Sequence, residues 1–222
     1  MLEGLDAIDW SALTHAYGPA ADVPELLRSL LSTDANEREQ AFYELFGNMW
    51  HQGTVYPAAA AAVPFLDELL RTPDVPDKPG IACLLACIAD GSGYFQVHAA
   101  LDLGGPRWER ILAEQGRTLQ QELAEEAETV AAVRQVVSPI LPHLVQYLYD
   151  PDTEVRRSVA LAFANYPEHA ALSMPALKDM LRTETNEEVL EDVRESLDRL
   201  AGSSVNSVEP EALQLHLDLF TE

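Results

Sequence analysis

The chain has 222 residues, 47% hydrophobic and 23% charged, an ordinary balance for a folded protein with a buried core. Its charge is not ordinary: 37 Asp and Glu stand against 14 Lys and Arg, a formal net charge of −23, and Lys78 and Lys178 are the lysines. That field repels polyphosphate and anionic lipid, which argues against nucleic-acid and membrane partners, while it draws in a basic protein. The start, MLEGLDAIDW, is acidic and lacks an uninterrupted apolar core, so a soluble, cytoplasmic protein is expected. The longest apolar run, Val55 to Leu66, holds two prolines and is too short to span a bilayer.

In chain order, residues 1–20, with Trp10, Leu13 and Tyr17, are expected to cap the open end of the first helix pair. Asp22 and Glu25 stand at capping-box spacing ahead of PELLRSLL, with Pro24 in the first turn. A second helix over about Asn36 to Met49 gathers Ala41, Phe42, Leu45, Phe46 and Met49 on one face. Glu37, Gln40, Glu44 and Asn48 fall opposite, a candidate partner surface. The string Trp50-His51-Gln52-Gly53-Thr54-Val55-Tyr56-Pro57 then reads as a junction, with Gly53 a helix C-cap and Pro57 opening the next helix. Trp50, His51 and Tyr56 are residues of the kind that anchor a partner, although packing the junction is the plainer use.

The next helix, AAAAAVPFLDELL, carries Pro64 inside its pattern, where a kink is expected. In IACLLACIA, Cys83 and Cys87 lie one turn apart as buried, reduced thiols. Residues 90–106, rich in glycine, read as an irregular loop, and 107–137 as one long helix bearing Glu122, Glu125, Glu126 and Glu128. Two further helix pairs complete the helical part: SPILPHLVQYL with TEVRRSVALAFANY, and HAALSMPALKDML with NEEVLEDVRESLDRL. Thr185 and Glu188 are spaced as a capping box ahead of the last helix. On that helix Glu187, Glu191, Glu195 and Asp198 recur at i, i+4, i+8 and i+11 as one acidic stripe. Residues 203–222 read as a polar linker and a tail in which Leu215, Leu217 and Leu219 alternate like a strand, to close the last repeat or join a partner.

One register runs through these helices. Pro24, Pro64, Pro142 and Pro175 are each followed by leucine two and six residues on. The first three are also followed by an aspartate at +10 (Asp34, Asp74, Asp152) and a cation at +14 (Arg38, Lys78, Arg156). Repetition at about 40 residues is the mark of an α-solenoid. The expected fold is therefore an all-α solenoid of about five helix-turn-helix repeats over 1–202, one degenerate or interrupted at 91–132.

These residues resemble the HEAT-repeat family, best at Pro142, Asp150, Val155, Arg156 and Ala160, over roughly residues 20–90 and 133–200. The resemblance implies that the proline bends the first helix and that the Asp and Arg positions pair between neighbouring repeats. Asp34, Arg38, Asp74, Lys78, Asp152 and Arg156 would then be structural. It says little about function, because such arrays serve many purposes.

Chemistry is hard to find in the chain. Its six histidines lack metal spacing, and it has no His-Glu-x-x-His, no Cys-x-x-Cys and no Gly-x-Ser-x-Gly. No catalytic residue, metal or cofactor is expected. The leading expectation is a non-enzymatic interaction module that binds a basic protein, with an inhibitor or immunity protein as the narrower form. Its candidate contacts are the residues of the second helix, the 50–56 junction, the 122–126 run and the terminal stripe. Two rivals remain. One is an enzyme or ligand carrier with a pocket of Trp50, Tyr56, Tyr94 and Phe95; the other is a scaffold or homodimer built through the tail.

Overall fold

A computed structural model describes residues 1–100 and 104–202. Two short 3-10 turns lead into a minimal hairpin of β1 (Thr14–His15) and β2 (Gly18–Pro19). The indole of Trp10 donates to the carbonyl of Leu5 at 2.8 Å and packs on Phe65, so this segment lies against the body of the fold. The first helix pair is α1 (Val23–Ser29) and α2 (Ala35–Met49). Asp22 does not cap α1 with its side chain. Its carboxylate instead meets His15 Nε2 and Asn48 Nδ2, each at 3.0 Å. Asn48 is thereby buried and withdrawn from the outer face assigned to it by periodicity. Asp34 does cap α2, accepting from the amide of Asn36 at 2.9 Å.

The junction is a second hairpin, β3 (Trp50–His51) with β4 (Thr54–Val55). Gln52 and Gly53 both have positive φ, 52° and 84°, as the two-residue turn of a right-twisted hairpin requires. Gly53 is therefore a turn residue and not a helix cap. Ser92 joins the hairpin from afar: it accepts from Val55 at 3.0 Å and donates to Gly53 at 2.9 Å.

The second pair is α3 (Pro57–Arg71) and α4 (Lys78–Asp90), with Pro57 in the first turn of α3 and Pro64 inside it. The stretch expected as an irregular loop contains α5 (Tyr94–Ala100) and opens α6 (Gly104–Glu114). The single long helix expected over 107–137 is two. Gly116 turns the chain at φ 71°, and Thr118 with Gln121 makes a capping box that starts α7 (Leu119–Val137).

A continuous helical run continues through 3-10 segments and α8 (Leu141–Leu144), where Pro139 and Pro142 remove donors from the ladder. Then come α9 (Thr153–Ala164), α10 (Ala170–Thr183) and α11 (Glu187–Leu200). The cap of α11 is Asn186 and not Thr185: its Oδ1 accepts from Glu188 at 3.0 Å and Val189 at 3.2 Å.

The pairs stack as two rows. First helices α1, α3, the α7–α8 run and α10 form one, and second helices α2, α4, α9 and α11 the other. The molecule is an all-α solenoid with one irregular unit. That unit stays out of the second-helix row, since α9 packs directly on α4 and α5 and α6 rest against α7. Every residue of α4 is buried or half-buried, because it is enclosed by α2, α3, α7 and α9. Among the described residues no helix is long and apolar enough to cross a membrane.

Candidate interaction surface

Arginine decides where the charge of this molecule is spent. Arg38 reaches from α2 to Asp77 at the start of α4 and to the carbonyl of Ser32 at 2.9 Å. Arg156 reaches from α9 to Glu184 at 2.7 Å and to the carbonyl of Asp150 at 2.8 Å. Each ties one repeat to the turn of the next. Asp34 and Asp152 cap their own helices, and the acids that meet Arg38 and Arg156 are Asp77 and Glu184, so the pairing implied between the repeat aspartates and arginines is made by other carboxylates. Arg157, one residue on, binds Asp192 of α11 at 2.6 Å and lies 3.3 Å from both Glu154 and Glu188. Burial works against the charge of Arg157, but Asp192 and its neighbours outweigh it and raise its pKa. Burial likewise pushes the carboxyl of Asp192 up against the pull of Arg157. The repeat register points to Arg156 alone and misses Arg157, although a second cation beside the repeat position is a visible signal.

The candidate carboxylates divide into two groups. Glu122 and Glu125 both bind Arg117, the latter at 2.6 Å. Glu126 accepts the amides of Phe95 at 2.8 Å and Gln96 at 3.1 Å, and so fastens the start of α5. This run is engaged within the irregular unit and does not offer a free acidic face. The α11 stripe is different: Glu187, Glu191, Glu195 and Asp198 are all exposed or half-exposed at the surface. Glu195 lies 3.5 Å from Arg199, and among the described residues Glu187, Glu191 and Asp198 have no ion-pair partner. On α2, Glu37 and Gln40 lie at the surface. Glu37 takes the hydroxyl of Ser32, and Gln40 donates to Glu44 at 2.7 Å.

At the hairpin, Trp50, His51 and Tyr56 are half-buried. His51 Nδ1 sits 3.3 Å from the hydroxyl of Tyr17, a residue that is 69% exposed. Tyr56 shares a 3.0 Å hydrogen bond with Thr54. Burial raises the phenol pKa of Tyr56. The expected pocket of Trp50, Tyr56, Tyr94 and Phe95 is not assembled: Tyr94 stacks on His98 at 4.0 Å, and Tyr94 and Phe95 both pack edgewise on Trp108. Trp50 instead borders a small depression with Cys87, Asp90, Arg157 and Ser158. Among the described residues no group of three or more His, Cys, Asp or Glu is placed to hold a metal. The expected tail, 203–222, lies outside the described residues.

No protein-family model matches the chain, and no curated protein matches it. Among solved structures it is similar to an engineered protein at 25% identity, covering 81% of this chain and 79% of that one with a TM-score of 0.37. It is also similar to a designed armadillo repeat protein in complex with the peptide (KR)4, at 20% identity, 81% and 82% coverage and a TM-score of 0.33. A second designed armadillo repeat protein is similar at 18% identity, 80% and 99% coverage and a TM-score of 0.26.

Proposed function

We propose that this protein is a non-enzymatic, HEAT-type interaction module of the cytoplasm that holds a basic protein on its acidic second-helix side. The observation that carries this reading is the distribution of charge. Among the described residues nine arginines are already bound to carboxylates of the same chain, while the stripe on α11 keeps carboxylates in surplus. Like charges at i and i+4 cost a helix roughly 0.2–0.5 kcal/mol per pair, so a stripe of them is tolerated against its own stability. A cationic surface would relieve that repulsion and be steered to it. Inhibition of a basic toxin or nucleic-acid-binding enzyme is the narrower form of this reading, and it rests on the same charge.

The test is co-purification from the native source at low ionic strength, followed by affinity measurements on the partner so identified. Association should weaken steeply with added salt and fall with Glu187→Lys, Glu191→Lys and Glu195→Lys together. Binding indifferent to both treatments overturns the proposal.

A further inference from the structure

Cys83 and Cys87 project from one face of α4 onto a single residue of α9. Ser158 Oγ lies 3.4 Å from Cys83 Sγ and 3.9 Å from Cys87 Sγ. On the same helix as Ser158, Val155, Val159 and Ala162 are buried, while Asn165 at the end of α9 donates to Asp90 at the end of α4. Three polarisable or polar groups thus meet at one point of the α4–α9 contact. Beside Cys87, though not Cys83, opens the depression bordered by Trp50, Asp90, Glu154, Arg157 and Ser158, with an internal volume of about 20 Å³, room for one water-sized occupant. Cys87 is nearly covered and Cys83 half-buried, and both are free thiols.

Helix geometry limits what two such thiols can do. Cβ atoms at i and i+4 stand about 5–6 Å apart, whereas a disulfide needs about 3.5–4.5 Å. Direct oxidation to a disulfide therefore requires α4 to unwind, and α4 is the enclosed helix of the stack. An atom inserted between the two sulfurs removes that conflict. Zinc asks for four ligands and hard cations for an oxygen cage, and neither set is gathered among the described residues. Soft monovalent ions accept a low-coordinate thiolate site.

We infer that Cys83 and Cys87 form a two-thiolate site for one soft monovalent cation of the copper(I) type, with Ser158 beside it. On binding, two S–metal bonds form and the protons the pair holds pass to solvent, with no change of oxidation state. The surroundings agree. The carboxylates of Asp90 and Glu154 border the depression beside Cys87 and outnumber the one guanidinium there, that of Arg157, so the balance of charge favours a cation.

The experiment is an anaerobic titration of the reduced, full-length chain with copper(I) against a chromophoric copper(I) chelator. One equivalent should bind per chain. Cys83→Ser and Cys87→Ser should each lose affinity by more than about tenfold, the least that supporting residues alone cost a metal site. One equivalent of copper(I) should also slow maleimide labelling of Cys83, the half-buried thiol, in the unaltered protein, a readout that holds even if a variant folds poorly. Single variants that compete as well as the parent overturn the inference. So does a Cys83 thiol labelled as fast at saturating copper(I) as without it.

Discussion

Gly91 stands where α4 ends and the chain turns toward the hairpin, with an ordinary φ of −65°. Its glycine is required by space: a Cβ there would run into Val55 Cγ1, which is buried in the core. Val55 also gives its amide to Ser92, so it cannot retreat without loosening the strand contact. Gly91→Ala should therefore lower stability by about 1–3 kcal/mol, the usual cost of overpacking. The check is a urea unfolding midpoint, and an unchanged midpoint would mean that Val55 yields freely. Gly93 is tight as well: a Cβ there would meet the Cβ and the carboxylate of Glu126, which the amides of Phe95 and Gln96 hold in place. At Asp22, His15 and Asn48 take one carboxylate oxygen each, Oδ1 and Oδ2, and this network displaces the helix amide that sequence spacing assigns to the side chain.

Between elements, the link from α9 to the turn before α11 carries the clearest dependence on pH. Burial opposes ionisation of Glu184, yet the amides of Asn186 and Thr185 and the guanidinium of Arg156 prevail and hold its carboxyl below the usual range. A carboxyl lowered in the folded state stabilises above its unfolded pKa, and that share is lost as pH falls through the folded value. Glu184→Gln should thus be less stable than the parent at neutral pH, with the two converging on acidification. Unfolding midpoints measured down through the carboxylate range would show this, and parallel curves would refute it.

The elements themselves were largely legible in the chain. The register of Pro24, Pro64, Pro142 and Pro175 marks first helices, and helical periodicity placed α2, α9 and α11 closely and exposed the α11 stripe. What was hidden is non-local. The α5 helix is seven residues long and depends on Glu126, thirty residues away, to satisfy its first amides. The β3–β4 strands have two residues each, too few for alternation to register, and their third partner is Ser92. The fate of Glu122 and Glu125 turned on Arg117, whose direction follows from the turn at Gly116.

At the scale of the molecule, α4 is the helix most completely surrounded. Its amides can reach solvent only when neighbours on several sides separate, so hydrogen exchange over Leu84–Ile88 should proceed at the rate of global unfolding. Exchange there through a lower-energy local opening would show that the two halves of the stack part independently.

The seating of α9 directly on α4 has a consequence for the chain as a polymer. The connection between these two helices is a little more than twice as long as that between α2 and α4. Closing a loop grows costlier only with the logarithm of its length, and a doubling adds about 0.6 kcal/mol. The detour through α5, α6 and α7 therefore adds almost nothing to the entropy of closing the stack. A segment that is so inexpensive to carry can lengthen, shorten or change its composition while the frame on either side stays the same.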